Sequence, residues 1–413
     1  MNKNKNNNIF YGWYIVIAGT FAMSISSGIN YHGFGNLFLP LSREFGWSRT
    51  RISSVFSLAR LENGILGPID GYLIDRFGPR AVILVGVPIM GIGYILLSQI
   101  NGFLSFSIVY ILGITIGSGT LHVPIQTAVA NWFNKKRGLA FGIMWSGVGI
   151  GGMIVPLYGW GIELFGWRET SVYIGIIVIL IGIPCGLIMR HNPYKYGQYP
   201  DGLKVSEDQA SKAKLTDSVD FTPKEALSSS SFWLLTFATG LRILLTSGVS
   251  LHLVPYFVDL GIDPVTAAVF AGSVGVISIP GRFGLSAVGD HFNKRYILMF
   301  SMFLLSISVM ILSYVNSLNG AIIALILYSF AQGGSAVVPN AIMADYFGTK
   351  HYGTIMGFRS IVVTFGVILG PIISGATFDH YGSYQLAFFG FAIVNFIGFI
   401  MIIYSRHPKR SNA

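Results

Sequence analysis

Cysteine is almost missing from this chain: Cys185 stands alone among 413 residues, so no intrachain disulfide is possible. Charge is scarce as well, at 11% against roughly 25% in soluble domains. Metal-ligand clusters, nucleophile motifs and phosphate-binding loops are all lacking. We therefore expect no enzyme, no metal and no cofactor. The apolar runs do not alternate with polar residues, which excludes a transmembrane barrel.

What is abundant is apolar. Hydrophobic residues make up 52% of the chain, in recurring runs of about 20, each enough to cross a hydrocarbon core of ~30 Å. Backbone groups cannot stay unpaired in lipid, so such runs form helices. Twelve spans are predicted, at 14–38, 52–74, 81–100, 103–130, 138–162, 168–189, 231–257, 265–288, 296–315, 320–345, 352–376 and 384–405. The fold class expected is an all-α membrane protein with twelve transmembrane helices. The N-terminal MNKNKNNN is polar and has no small-residue cleavage site, so no removable signal peptide is expected.

The formal net charge of +10 invites a nucleic-acid reading, but the placement of the charge opposes it. Nineteen of the 27 Lys and Arg fall in the termini, the 190–229 connector and the loops of one side, whereas Arg43, Arg49, Arg51 and Arg168 form the other side's share. This asymmetry predicts a cell (inner) membrane protein with both termini cytoplasmic, the lipid bilayer as its surroundings and no nucleic-acid partner.

Four more arginines, Arg60, Arg242, Arg282 and Arg359, lie inside predicted spans. An intramembrane cation costs several kcal/mol and is rarely kept without a polar partner or an anion. Each has a bland alternative, an arginine bonded to carbonyls or a fixed acid. Together they point to a negatively charged cargo, and they argue against cation export.

The second half of the chain repeats the first at an offset near 215. Pro40 matches Pro255, Gly46 Gly261, Asp75 Asp290, Pro124 Pro339, Gly151 Gly366 and Pro156 Pro371. Ala130-Asn131-Trp132-Phe133 recurs as Ala344-Asp345-Tyr346-Phe347 with a one-residue drift. Six spans separate the copies, so both halves have the same orientation, as two parallel six-helix repeats. We expect bundles at 1–190 and 230–413 joined by a cytoplasmic connector at 191–229. The arginines are not duplicated: their counterparts are Gly275, Ser27, Gly67 and Met144. A cation required by the fold would be expected in both halves.

Three blocks carry a family resemblance. Gly71-Tyr72-Leu73-Ile74-Asp75-Arg76-Phe77-Gly78-Pro79-Arg80 resembles the signature loop of the major facilitator superfamily, with a weaker copy ending Asp290-His291-Phe292-Asn293-Lys294-Arg295. An acid at such a helix end can pair with basic groups or a neighbouring helix N-terminus, as a latch. Trp132-Phe133-Asn134-Lys135-Lys136-Arg137-Gly138-Leu139-Ala140-Phe141-Gly142 is similar to the fifth-helix signature of the monocarboxylate transporter family and its bacterial relatives, the oxalate:formate antiporter-like proteins. Tyr11-Gly12-Trp13-Tyr14 keeps the core of their first-helix signature without the acid of animal members.

The resemblance implies transport of small organic anions by alternating access. In that family an arginine of the eighth span binds the substrate carboxylate, and Arg282 takes that position. A second cation of the eleventh span matches Arg359. Resemblance also makes spans 1, 4, 7 and 10 line the cavity, which nominates Asn30, Tyr31, His122, Gln126, His252, Tyr328, Gln332 and Asn340. Glu62, Arg60 and Arg242 are candidates for coupling or gating, with Asp75, Arg76, Arg80 and Asp290 as latch residues. Proton-linked members often carry an aspartate one turn before the arginine of the eighth span; here Ser278 stands there. Two readings stay open: proton symport of a monocarboxylate such as lactate or pyruvate, and exchange of a dicarboxylate such as oxalate against formate. A transport-inactive receptor or scaffold is a remote third.

Overall fold

The computed structural model describes residues 10–47, 49–202, 220–262, 264–315 and 317–408. Among these, twelve long helices follow one another: α1 (Tyr11–Phe45), α2 (Arg49–Phe77), α3 (Pro79–Leu97), α4 (Phe103–Trp132), α5 (residues 137–165), α6 (residues 167–188), α7 (Ser230–Asp259), α8 (residues 264–288), α9 (Lys294–Tyr314), α10 (Leu318–Phe347), α11 (Tyr352–Tyr381) and α12 (Gln385–Tyr404). Helix α5 contains a turn at 152–153, and Gly166, with φ 80°, separates it from α6 without a loop. Helix α2 is less apolar than the other long helices, because Arg60, Glu62 and Asn63 interrupt it. It is long enough to cross all the same, at about 1.5 Å per residue.

One boundary differs from expectation. The first span runs on to Phe45 rather than ending near 38, by widening into a π-helical turn at Ser27–His32 and tightening into a 3₁₀ turn at Gly33–Leu37. Similar wide turns occur at Val109–Thr115 in α4 and at Gly281–Leu285 in α8. π-turns disturb the helical ladder and recur at functional positions. The glycines Gly46 and Gly261, paired by the repeat, end α1 and α7 in left-handed conformations of φ 66° and 84°.

Helices α1–α6 and α7–α12 meet chiefly at the face bearing the chain termini. There α2 packs along α11, and α5 along α8 and α10. Glycines make these seams close: an added Cβ at Gly71 would collide with the Gly353 carbonyl, and one at Gly138 with the Ser286 carbonyl. One apolar core runs across both sets at this face, joining Ala140, Phe141 and Met144 to Ala341, Met343 and Met356. A second, around Val249, Tyr328 and Phe388, stays within α7–α12. Outward faces such as Val85, Leu104 and Leu180 are exposed apolar surface, as a lipid-facing bundle requires.

The described ends of the connector clip two equivalent loops. Asp201 accepts the backbone N–H groups of Asn134, Lys135 and Lys136 ahead of α5 at 3.1, 2.7 and 3.1 Å. Asp220 accepts those of Thr349 and Lys350 ahead of α11 at 3.1 and 3.2 Å.

Candidate functional site

Arg282 lies in the wide turn of α8 that follows Pro280, and it is 8% exposed. Its Nε donates to Ser278 Oγ at 3.1 Å. Its Nη1 crosses to the other helix set and donates to the Trp145 carbonyl of α5 at 2.9 Å. The seam here is tight, since Gly142 of α5 packs on the Arg282 backbone.

Arg359 is 5% exposed, on α11. Its Nη1 donates to Asn340 Oδ1 of α10 at 2.7 Å and approaches Met356 Sδ at 3.5 Å, while Nε has no partner. Asn340 is itself held, donating to the Ala336 carbonyl at 3.3 Å and accepting at its backbone from Tyr352 Oη at 3.2 Å. Among the described residues Arg359 forms no ion pair. Counting along the helices from the residues that close the termini face, Arg359 lies about 8 Å inward and Arg282 about 12 Å.

On α4, the His122 ring stands 6.4 Å from that of Trp145, between centroids. Gln126, one turn on and 4% exposed, donates Nε2 to the His122 carbonyl at 3.1 Å. Its Oε1 is buried and unpartnered, as is Trp145 Nε1. Gln332, half-buried on α10, precedes Gly333, which packs on Ser278 and the Arg282 backbone. Arg282 thus reaches Trp145 of α5, whose ring neighbours His122 of α4, and α4 also packs against α11, which bears Arg359.

Other expected cavity residues are engaged elsewhere. Tyr328 is fully buried within α7–α12; its hydroxyl pairs with Ser250 Oγ at 3.0 Å and donates to the Thr246 carbonyl at 3.4 Å. His252 uses both ring nitrogens in its own set, on Tyr384 Oη and the Pro371 carbonyl, each at 3.2 Å. Asn30 donates to Ser118 at 2.7 Å and accepts from Tyr110 at 3.0 Å, tying the wide turn of α1 to α4. Arg60 lies over the Phe56 ring, 4.5 Å from its centroid. Arg242 is 5% exposed within α7. The side chains of Tyr31 and Glu62 lie outside the described residues.

The termini face is closed by two matching latches. Asp75 at the end of α2 accepts the Gly353 and Thr354 N–H groups at the start of α11, at 3.0 and 2.8 Å, and the Thr354 hydroxyl at 2.7 Å. Asp290 beyond α8 accepts the Gly138 and Leu139 N–H groups at the start of α5, at 2.6 and 2.7 Å. Acid and donor helix are both related by the 215-residue offset. Each carboxylate meets the positive end of a helix dipole and its unsatisfied N–H groups. Burial pushes the Asp290 carboxyl up, and those N–H groups and Lys294 pull it back in part.

The partners of these acids are helix N-termini, not the neighbouring arginines. Arg76 is exposed and donates to Tyr72 Oη at 2.9 Å, and Arg80 is exposed. An ionic pair missed by the sequence reading joins the sets: Arg137 of α5 to Asp345 of α10, which also accepts from Lys294 at 2.8 Å. In the sequence Arg137 is one of three consecutive basic residues, Lys135 to Arg137, so only its 7% exposure marks it out.

Twelve apolar helices in two related sets, latched across one face beneath buried cations, define a multi-pass membrane transporter. The chain belongs to the major facilitator superfamily, whose model matches residues 16–327 and 284–413. It is 23% identical over 389 residues to monocarboxylate transporter 13 of Rattus norvegicus, covering 92% of this chain and 85% of that relative. It is 24% identical over 401 residues to the oxalate:formate antiporter of Oxalobacter formigenes, covering 94% and 90%. The crystal structure of a human organic anion transporter superposes with a TM-score of 0.72 at 15% identity, covering 95% of this chain and 99% of that one, which is a likeness of fold.

Proposed function

We propose that this transporter carries small carboxylates across the cell (inner) membrane, with Arg282 and Arg359 holding the carboxylate. The observation that carries the reading is Arg359. A guanidinium 5% exposed has a neutral amide and a thioether as its partners, and its Nε donor is unused. A buried cation without a counter-charge costs several kcal/mol, which an arriving anion offsets. Guanidinium forks suit carboxylates because parallel N–H donors meet two oxygens. The relatives named as a monocarboxylate transporter and an oxalate:formate antiporter point the same way.

The bundles 1–190 and 230–413 rock about this site, tethered by the connector 191–229, with both termini cytoplasmic. The paired latches then make the described state one closed to the cytoplasm. His122, Gln126 and Gln332 orient the anion; Tyr328, His252 and Asn30 act on it through the packing of their own bundles. Glu62, Arg60 and Arg242 are left for coupling. We favour proton-coupled movement of a monocarboxylate such as lactate or pyruvate. One observation supports the alternative, exchange of a dicarboxylate such as oxalate against formate: Ser278, which cannot carry a proton in this role, hydrogen-bonds Arg282. Proteoliposomes decide between them. Symport predicts lactate uptake driven by an inward proton gradient without internal anion, and uptake that ignores pH but requires preloaded formate rejects it.

A further inference from the structure

Helices α5 and α11 start without a cap of their own. Lys136 and His351 stand at their N-cap positions and make no side-chain capping bond. The N–H groups that a capping side chain serves belong to the second and third helical residues. These are Gly138 and Leu139 in α5 and Gly353 and Thr354 in α11, and Asp290 and Asp75 of the other helix set take them. Both helix starts are therefore capped from across the seam. Parting the seam removes the cap, and the freed N–H groups leave the first turn without a partner.

The connector ends hold the residues just ahead of each start. Asp201 accepts the N–H groups of Asn134, Lys135 and Lys136, and Asp220 those of Thr349 and Lys350. At the offset of 215, positions 349 and 350 are the counterparts of 134 and 135. The two acids are not repeat copies of each other, since they lie only 19 residues apart. They nevertheless end on the same backbone groups of the two halves, which chain connectivity does not require.

The backbone is shaped for these contacts. Among the described residues Asp201 is the only non-glycine with a positive φ, 60°, a conformation disfavoured for side-chain-bearing residues. At Gly348, with φ 79°, an added Cβ would lie 2.3 Å from Asp220 Oδ1. Each clip is also backed within its own set. Asn131 Nδ2 donates to the His191 carbonyl at 2.9 Å, and the Phe221 N–H to the Phe347 carbonyl at 3.0 Å. Neither clip crosses the seam, so neither has to break when the latches part.

We propose that Asp201 and Asp220 are positioning residues of the gate at the termini face. They hold the uncapped starts of α5 and α11 in the shape that receives Asp290 and Asp75, which favours reclosing. This rests on the rocking of the two bundles proposed above, not on the identity of the cargo.

The test reads opening of the seams in the full chain in detergent, without substrate. In a Cys185→Ser background, one reporter cysteine is placed by Ser286→Cys, where Gly138 packs, or by Ser360→Cys, where Gly67 packs. Asp201→Asn tolerates the left-handed conformation but removes the charge and one accepting oxygen. It should speed maleimide labelling at position 286 about three- to fivefold, as should Asp220→Asn at position 360. Asp201→Gly fits the same backbone freely and should match Asp201→Asn, which covers the case of a variant that does not elute as a single folded species. Asp290→Asn alone should speed labelling more. Adding Asp201→Asn to it should then change the rate by less than about twofold, because the clip acts through the latch.

Parental labelling rates in both folded clip variants overturn the proposal. Slower labelling overturns it too, since the two carboxylates would then compete for one helix start. Clip and latch effects that multiply would assign the clips to the stability of their own loops, against the proposal. If Asp290→Asn itself leaves labelling unchanged, the latch fails and the proposal with it, while the carboxylate reading is still decided by uptake.

Discussion

Arg359 separates two kinds of buried arginine. A structural one loses stability when replaced, because its carbonyl or acid partners are left unpaired. One kept for an absent anion strains the empty protein, and an apolar replacement of similar volume is often neutral or stabilising. Arg359→Met relieves a buried charge that costs several kcal/mol but leaves Asn340 Oδ1 unpaired, at about 1–3 kcal/mol, so it should melt in detergent within a few degrees of the parent or above it. A large fall would assign Arg359 to the fold. Asn340→Ala should raise KM for the carboxylate by about tenfold with less effect on kcat, since it frees the guanidinium to wander. Arg282 and Arg359 stand out as candidates in the sequence, because charge within apolar runs is conspicuous. Trp145 was not: its contribution comes from a backbone carbonyl and an unpaired indole N–H, neither of which has a sequence signature.

Acid sensitivity also belongs to single residues. His191, just beyond α6, is held below its ordinary value of 6.5 by burial and then by Lys195. As pH falls past that value, the unfolded chain takes up a proton that the folded chain refuses. Stability is thus fully present above it and declines down to the depressed folded value. His191→Gln should flatten the loss of melting temperature between about pH 7 and 5, measured in detergent against the parent.

At the scale of elements, the latches show both what a repeat discloses and what it hides. Asp75 and Asp290 were found as a matched pair from sequence alone. That a neighbouring helix N-terminus could receive such an acid was legible too, but not which helix, because the N–H groups that start α5 and α11 belong to the backbone, whatever side chains surround them. The other expected partners, the basic groups Arg76 and Arg80, lie exposed. Asp75→Asn keeps the shape but removes the charge that meets the α11 dipole. It should open the α2–α11 seam more often. With Cys185 changed to Ser and Ser360→Cys as reporter beside Gly67, maleimide labelling from the termini face should speed up roughly five- to tenfold, for a charge-assisted contribution of about 1–1.4 kcal/mol. Labelling at the parental rate would deny the latch its role.

Over the whole molecule, the helix count, their order and the twofold repetition were readable because lipid forces the backbone into helices and apolar length sets each crossing. The continuation of α1 to Phe45 was not, since Pro40 followed by Ser42, Arg43 and Glu44 looks like the end of a span; the helix nevertheless resumes at Phe38 after its wide and narrow turns. Nor was the joining of the two sets at one face, which depends on how glycine seams fit: Gly67 and Gly71 against Gly357 and Gly353, and Gly138 and Gly142 against the α8 backbone. These seams and latches set which face is closed, while the proposed carboxylate site rests on the unduplicated arginines.

Saturable uptake of labelled lactate and oxalate by proteoliposomes, compared between the parent and Arg359→Met at matched incorporation, tests this account most directly. It predicts uptake of at least one of the two by the parent, reduced in the variant about 10- to 100-fold in kcat/KM, the value of a charged hydrogen-bonding pair. Uptake that Arg359→Met leaves unchanged would contradict it.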